Sequence, residues 1–177
     1  FVDDGKVGIY SFAALFAEGF YQILIVLQNI LNPIIARQLS EFRYSHFLKR
    51  FNTVKIYTYK YVAILFLFSV IIYPKMIEIF IKNSEFVESF IPFIILVSGI
   101  TIASGYIPFY SIFSMANKPG LQSIFMIMIF STNIIANAIF IPLMGYSGAA
   151  LGTALSFLIS IIYFKYLVYN YLKLKLM

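Results

Sequence analysis

The chain contains no cysteine, which excludes disulfides, thiolate metal sites and thiol nucleophiles together. It has one histidine, His46, set among basic residues in a polar stretch. One imidazole does not build a metal site alone, and this one reads as a solvated loop residue. Charge is scarce as well: Asp, Glu, Lys and Arg make up 11% of the residues, against about a quarter in soluble domains. A water-facing surface cannot be covered with so few charges, so lipid must do part of the solvating. Nucleotide-binding loops, Ser–His arrangements and metal-ligand clusters are missing too. No polar segment is long enough for a separate soluble domain.

What is there instead is apolar. Hydrophobic residues make up 62% of the chain, and the mean hydropathy is +0.91. Crossing the hydrocarbon core takes about 20 mostly apolar residues in a helix, and five such runs can be read. They cover about Gly8 to Ile35, Tyr61 to Phe80, Phe90 to Met115, Leu121 to Leu143 and Gly148 to Tyr169. Ile, Phe and Val would favour strands on propensity alone. Runs of this length in lipid must nonetheless be helical, because lipid cannot satisfy open backbone groups. The expected fold is therefore all-α, a polytopic membrane helix bundle.

The breaks between runs are chemical. Asn117-Lys118-Pro119-Gly120 stops one helix and starts the next, and Met144 to Gly148 does the same at the opposite face. Residues 36–60 form a basic segment, read either as an amphipathic helix on the inner leaflet or as a solvated loop. The net charge of +6 lies in such short connections, which suits membrane topology better than a nucleic-acid partner.

Orientation follows from those charges. With the first connection inside, Arg37, Arg43, Lys49, Arg50, Lys55, Lys60, Lys118, Lys165, Lys173 and Lys175 are cytoplasmic. Lys6, Lys75 and Lys82 are then outside, beside Asp3, Asp4, Glu78, Glu85 and Glu88. The basic bias sets the C-terminus in the cytoplasm and the N-terminus outside. An outside start at Phe1, with no signal peptide, leads to the expectation that an odd number of spans precedes this segment. Tyr57, Tyr59 and Tyr61 at the second span, and Tyr166, Tyr169 and Tyr171 at the fifth, fit interfacial belts.

Polar residues at membrane depth are expensive and mark the places to look for function. Ser11, Glu18, Gln22, Asn29 and Asn32 follow at steps of 7, 4, 7 and 3, near one helical face. Glu18 is the one carboxylate well inside a span. Two roles fit such a stripe: the wall of a hydrophilic translocation cavity, with Glu18 a coupling-ion site, or hydrogen bonding between helices. Asn133 and Asn137 share a face of the fourth span, as cavity lining or, better, as helix pairing. Gly148, Gly152, Ser156 and Ser160 recur every four residues in the fifth and predict close packing. Pro108 predicts a bend in the third.

Three stretches carry a resemblance. Asp4-Gly5-Lys6-Val7-Gly8-Ile9-Tyr10-Ser11 is similar to an external loop and helix start, and Asn32-Pro33-Ile34-Ile35-Ala36 to the inner end of that helix. Asn133 to Asn137, continued by Ile141-Pro142-Leu143-Met144-Gly145-Tyr146-Ser147-Gly148-Ala149-Ala150, resembles the join between the last two helices of a twelve-helix core. Together they resemble the multidrug/oligosaccharidyl-lipid/polysaccharide flippase superfamily, most closely its Wzx-type O-antigen and capsule branch.

The resemblance implies most of the C-terminal lobe of a MATE-like fold that works by alternating access. Its implied substrate is an undecaprenyl-pyrophosphate-linked oligosaccharide, moved across a bacterial inner membrane without a cofactor. Implied partners are membrane lipids, an N-terminal transmembrane half, and the polysaccharide polymerase and chain-length machinery. Relatives line the cavity with cations for the pyrophosphate. Arg37 is the nearest such residue here, and its other reading is a positive-inside anchor. A cation-coupled multidrug extruder is the alternative within transporters. A membrane enzyme of polysaccharide assembly is the alternative outside them, and it would need a large catalytic loop that this sequence does not contain.

Overall fold

The apolar runs fold as helices, the third of them interrupted. The computed structural model describes residues 4–81 and 84–176, with side chains described for 5–79 and 86–176. Among the described residues there is no strand. The elements are α1 (Asp4–Ser40), α2 (Tyr44–Met76), α3 (Phe90–Ala103), a short α4 (Ile112–Met115), α5 (Pro119–Met144) and α6 (Tyr146–Leu167). A π-helical turn, Ile77–Ile81, extends α2, and a second, Val168–Leu172, extends α6. Five helices are long and apolar enough to cross a membrane: Gly5–Ser40, Tyr44–Ile79, Phe86–Ala103, Pro119–Met144 and Tyr146–Leu172. The protein is an all-α, polytopic membrane bundle.

α1 and α2 are longer than a bilayer requires. α1 has 37 residues and so rises roughly 55 Å, at about 1.5 Å per residue, against a hydrocarbon core of about 30 Å. Of the basic segment at 36–60, residues 44–60 are helical and continuous with the second span, since α2 begins at Tyr44 and runs into it without interruption. Hydropathy reads charge, whereas Lys, Arg, Leu and Phe at these positions are all compatible with a helix. Only residues 41–43 lie outside the two helices. Here Phe42 takes a φ of 55°. Arg43 N–H donates to the Gln38 carbonyl at 2.9 Å and Phe42 N–H to the Leu39 carbonyl at 3.2 Å, the two bonds of a Schellman cap.

The third span is broken rather than bent. α3 ends at Ala103, and residues 104–111 pass through turns and a 3-10 stretch before α4. Pro108 lacks an N–H and its ring crowds the carbonyl four residues earlier, so an α-helix cannot pass through it undistorted. Irregular backbone inside a membrane protein is tolerated where protein covers it. Ala103, Ser104, Ile107 and Phe109 are all fully enclosed. Tyr59 of α2 reaches over the break and donates its hydroxyl to the freed Ile102 carbonyl at 2.9 Å. Gly105 leaves the room for it, since a Cβ there would lie 2.5 Å from the Tyr59 ring. Tyr59 thus faces inward and is half-buried, while Tyr57 and Tyr61 remain exposed.

Two aromatic clusters form the core. Near the α1–α2 hairpin, Phe47 and Phe51 pack on Phe109, and Tyr110, Phe113 and Phe125 surround Phe164. At the other end Tyr73 stacks on Phe93, with ring centroids 4.0 Å apart, and meets Phe12 and Phe16 edge-on or tilted. Helix α6 lies inside the bundle against α3 and α5. Its Gly148, Gly152, Ser156 and Ser160 are buried, as the four-residue repeat predicts. A Cβ on Gly99 of α3 would lie 2.7 Å from the Ala154 Cα of α6, so these backbones touch.

Both ends of the bundle are defined by contacts. At the hairpin end a cavity of about 400 Å³ joins Ser40 and Tyr44 to Lys118 and Tyr171, and Lys118 donates to the Tyr171 carbonyl at 2.7 Å. At the opposite end the Tyr146 hydroxyl donates to Glu88 at 3.2 Å. Consecutive spans therefore alternate in direction. Of the charges expected at this second end, Asp3 and Lys82 lie outside the described residues, as do the side chains of Asp4 and Glu85.

Candidate functional site: the polar face of α1

The polar stripe read from the sequence divides in two. Ser11, Glu18, Gln22 and Asn29 are all exposed, interleaved with the exposed Leu15, Val26 and Pro33. Gln22 donates its amide to the Glu18 carboxylate one turn away. Glu18 lies ten residues inside Gly8, which is roughly 15 Å of helix rise, about half the core thickness. Asn32 belongs elsewhere. It sits three residues after Asn29, about 60° around the helix, and turns into the bundle.

There it joins a polar relay that the sequence reading missed. Gln28 donates to the Ser111 hydroxyl at 3.0 Å, and Ser111 donates to Asn32 Oδ1 at 2.6 Å. Ser111 stands just before α4, so this relay ties α1 to the broken third span. The signal for Gln28 was its four-residue spacing to Asn32, which places the two on one face. Other polar pairs also close inside the bundle. Tyr110 bonds Ser160, and Thr132 meets the Tyr163 hydroxyl at 3.0 Å.

Asn133 and Asn137 are placed between helices. Asn133 donates to Thr153 of α6 at 3.2 Å, and Asn137 donates to Asn133 Oδ1 at 3.0 Å. Asn137 also borders a shallow concavity with Ile141, Pro142 and Gly145. Its Oδ1 is buried without a hydrogen-bond partner among the described residues. These two residues pair helices and leave the exposed stripe to α1.

Arg37 lies on the surface at the hairpin end, apart from the exposed polar stripe. It is exposed and holds Glu41 through Nε at 2.9 Å, while Arg43 holds the other oxygen of Glu41 at 3.0 Å. Among the described residues no three His, Asp or Glu side chains gather as a metal site would need.

The arrangement is that of a multi-pass helical membrane protein with one face of its first span carrying amides, a hydroxyl and a carboxylate. Compared with known proteins, the chain matches no family model, no curated protein and no solved structure.

Proposed function

We propose that this chain forms one lobe of a membrane transporter that moves a lipid-linked oligosaccharide across a bacterial inner membrane. One observation carries the transport reading. Glu18 is exposed well inside the first span, and among the described residues its hydrogen-bond partner is Gln22 of the same helix. An ionised carboxylate facing lipid costs about 2.5–3.5 kcal/mol even on insertion scales. The polar face of α1 is therefore served by water or by another polar surface, as one wall of an aqueous pathway would be.

The substrate class rests on the resemblance of three sequence stretches to polysaccharide flippases. In this reading the hairpin end is cytoplasmic, a second set of helices supplies the opposite wall, and the protein does no covalent chemistry. The broken third span, tied to α1 through Ser111, is an element that can rearrange in alternating access. A second reading rests on the stripe's one ionisable group. Glu18 would bind a cation or proton in a coupled drug extruder of the same superfamily.

Deleting the gene separates them. For a flippase, lipid-linked oligosaccharide accumulates at the inner leaflet and surface polysaccharide falls. Unchanged surface polysaccharide together with raised sensitivity to cationic drugs would replace the flippase by the extruder. If neither changes, the transport reading is wrong.

A further inference from the structure

The outer face of the α1–α2 hairpin carries a pocket and a groove that lie apart from Glu18. The pocket, of about 210 Å³, opens at the hairpin end between Ile34, Arg37, Gln38 and Glu41 of α1 and the turn and Arg43, His46 and Arg50 of α2. The groove, of about 290 Å³, lies further along the same two helices, between Ile23 and Leu27 on one side and Val54, Tyr57 and Tyr61 on the other. Its lining is almost wholly apolar. Sequence spacing puts pocket and groove on one face: Arg43, His46, Arg50, Val54, Tyr57 and Tyr61 advance by three or four residues. Arg50 and Val54 are one turn apart, about 5.4 Å, so the pocket and the groove are neighbours along the hairpin.

Charge is unbalanced in the pocket. Three guanidinium groups face one carboxylate, and Glu41 engages Arg37 and Arg43 through their Nε atoms. Arg50 and His46 have no hydrogen-bond or ion-pair partner among the described residues. No side chain caps the first turn of α2, and that turn contains no acid, so its dipole adds to the positive field. Guanidinium forks and free N–H groups suit the oxygens of a phosphate ester. The groove suits a hydrocarbon chain, and its edge at Tyr57 and Tyr61 is exposed.

The geometry points to a binding site for one anionic phospholipid, its phosphate among Arg43, His46 and Arg50 and one acyl chain along the groove. The order of the parts is that of the lipid itself, with the headgroup at the polar end of the hairpin and the chain toward the bilayer. Such a lipid fastens the two helices between their turn and the far end, where Tyr73 of α2 meets Phe12 and Phe16 of α1. This site lies on the bilayer side of α1, away from Glu18, and does not depend on the transporter reading.

The test is native mass spectrometry of the full-length protein with phosphatidylglycerol and phosphatidylcholine of identical chains. One phosphatidylglycerol is retained per protein, in preference to phosphatidylcholine. In titrations, Arg43→Gln and Arg50→Gln each weaken it by roughly fivefold, the factor expected per basic group at a membrane surface. Val54→Trp fills the groove and weakens retention with every charge in place. Lys173→Gln with Lys175→Gln removes twice the charge of either arginine variant elsewhere and leaves retention unchanged. Equal retention of phosphatidylcholine, or equal loss in the Lys173/Lys175 variant, overturns the site. Displacement of the lipid by glycerol 3-phosphate at the same concentration makes it a soluble phosphate site instead, and also overturns the proposal.

Discussion

The Asn137 amide of α5 lies directly against the α-carbon of Gly152 in α6, so closely that a Cβ at residue 152 would overlap its oxygen. One turn away, the missing Cβ of Gly148 leaves room for the main-chain carbonyl of Phe140. The α5–α6 pair thus closes on two glycines. In lipid, where apolar burial does not drive helices together, such close packing is a main source of association.

The two glycines differ in what opposes them, and their alanine variants should differ accordingly. At 152 the first obstacle is a side-chain oxygen that can swing aside. At 148 it is backbone, and a helix must move. Gly148→Ala should lose about 1–3 kcal/mol, the usual cost of overpacking, with Gly152→Ala losing less. Thermal unfolding in one detergent, with fluorescence size-exclusion as a check on assembly, gives the order. A Gly152→Ala that is the more damaging of the two would contradict this packing.

Tyr59→Phe removes the hydroxyl that satisfies the Ile102 carbonyl beside the break in the third span. The ring over Gly105 is kept, so the change isolates one hydrogen bond. A loss of about 0.5–1.5 kcal/mol is expected, and amide hydrogen exchange should rise locally at residues 102–106. Unchanged exchange there would mean that the break is held without α2.

Glu41 supplies a pH dependence with a definite sign. Its hydrogen bond to Arg37 holds its carboxyl below the ordinary carboxylate range, with Arg43 adding to the effect. A carboxyl lowered in the folded state contributes stability above its unfolded pKa. That contribution is lost as pH falls through the folded value. Wild type should therefore exceed Glu41→Gln in thermal midpoint at neutral pH, with the gap closing in acid. Both partners are exposed, so the gap is small and shrinks with salt. A gap that widens in acid would reverse the assignment.

Residues differ in how far the sequence alone placed them. The five spans could be read because apolar runs this long have only one solution in lipid. The start of α2 at Tyr44 could not, since its first turns are polar and hydropathy does not register helicity. Pro108 announced a disturbance. Its extent depends on Tyr59, 43 residues distant along the chain from Ile102, and no local pattern contains that contact. Asn32 left the exposed stripe because a three-residue step turns it about 60° toward the bundle. The basic pocket was visible only as charge, because Arg37 and Arg50 come together through the turn at Phe42.

Topology offers a test free of background labelling, since the chain has no native thiol. Lys49→Cys and Val87→Cys are both at exposed positions, on opposite ends of the bundle. The basic bias predicts that position 49 lies in the cytoplasm. An impermeant maleimide added to intact cells should then label position 87 and leave position 49 untouched until the membrane is opened. Labelling of 49 alone would invert the protein.

Glu18 carries the sharpest consequence. Glu18→Gln keeps the size of the side chain and its ability to bond Gln22 while removing the charge. Glu18→Leu removes both. If the α1 face meets water and the charge binds a coupling cation, the Gln variant should reach wild-type levels in the membrane and export less. The Leu variant should then export no better than Gln. If the carboxylate only lines a wet wall, Gln should export as wild type does and Leu alone should fail. If the face is instead buried against another helix as a structural contact, the Gln variant should already lower protein abundance. An α1 face turned to lipid predicts a fourth result, because Glu18→Leu would then remove an unfavourable charge and raise stability. Export and membrane abundance measured together for the two variants tell these apart, and stable, abundant protein in the Leu variant with full export would remove Glu18 from any pathway.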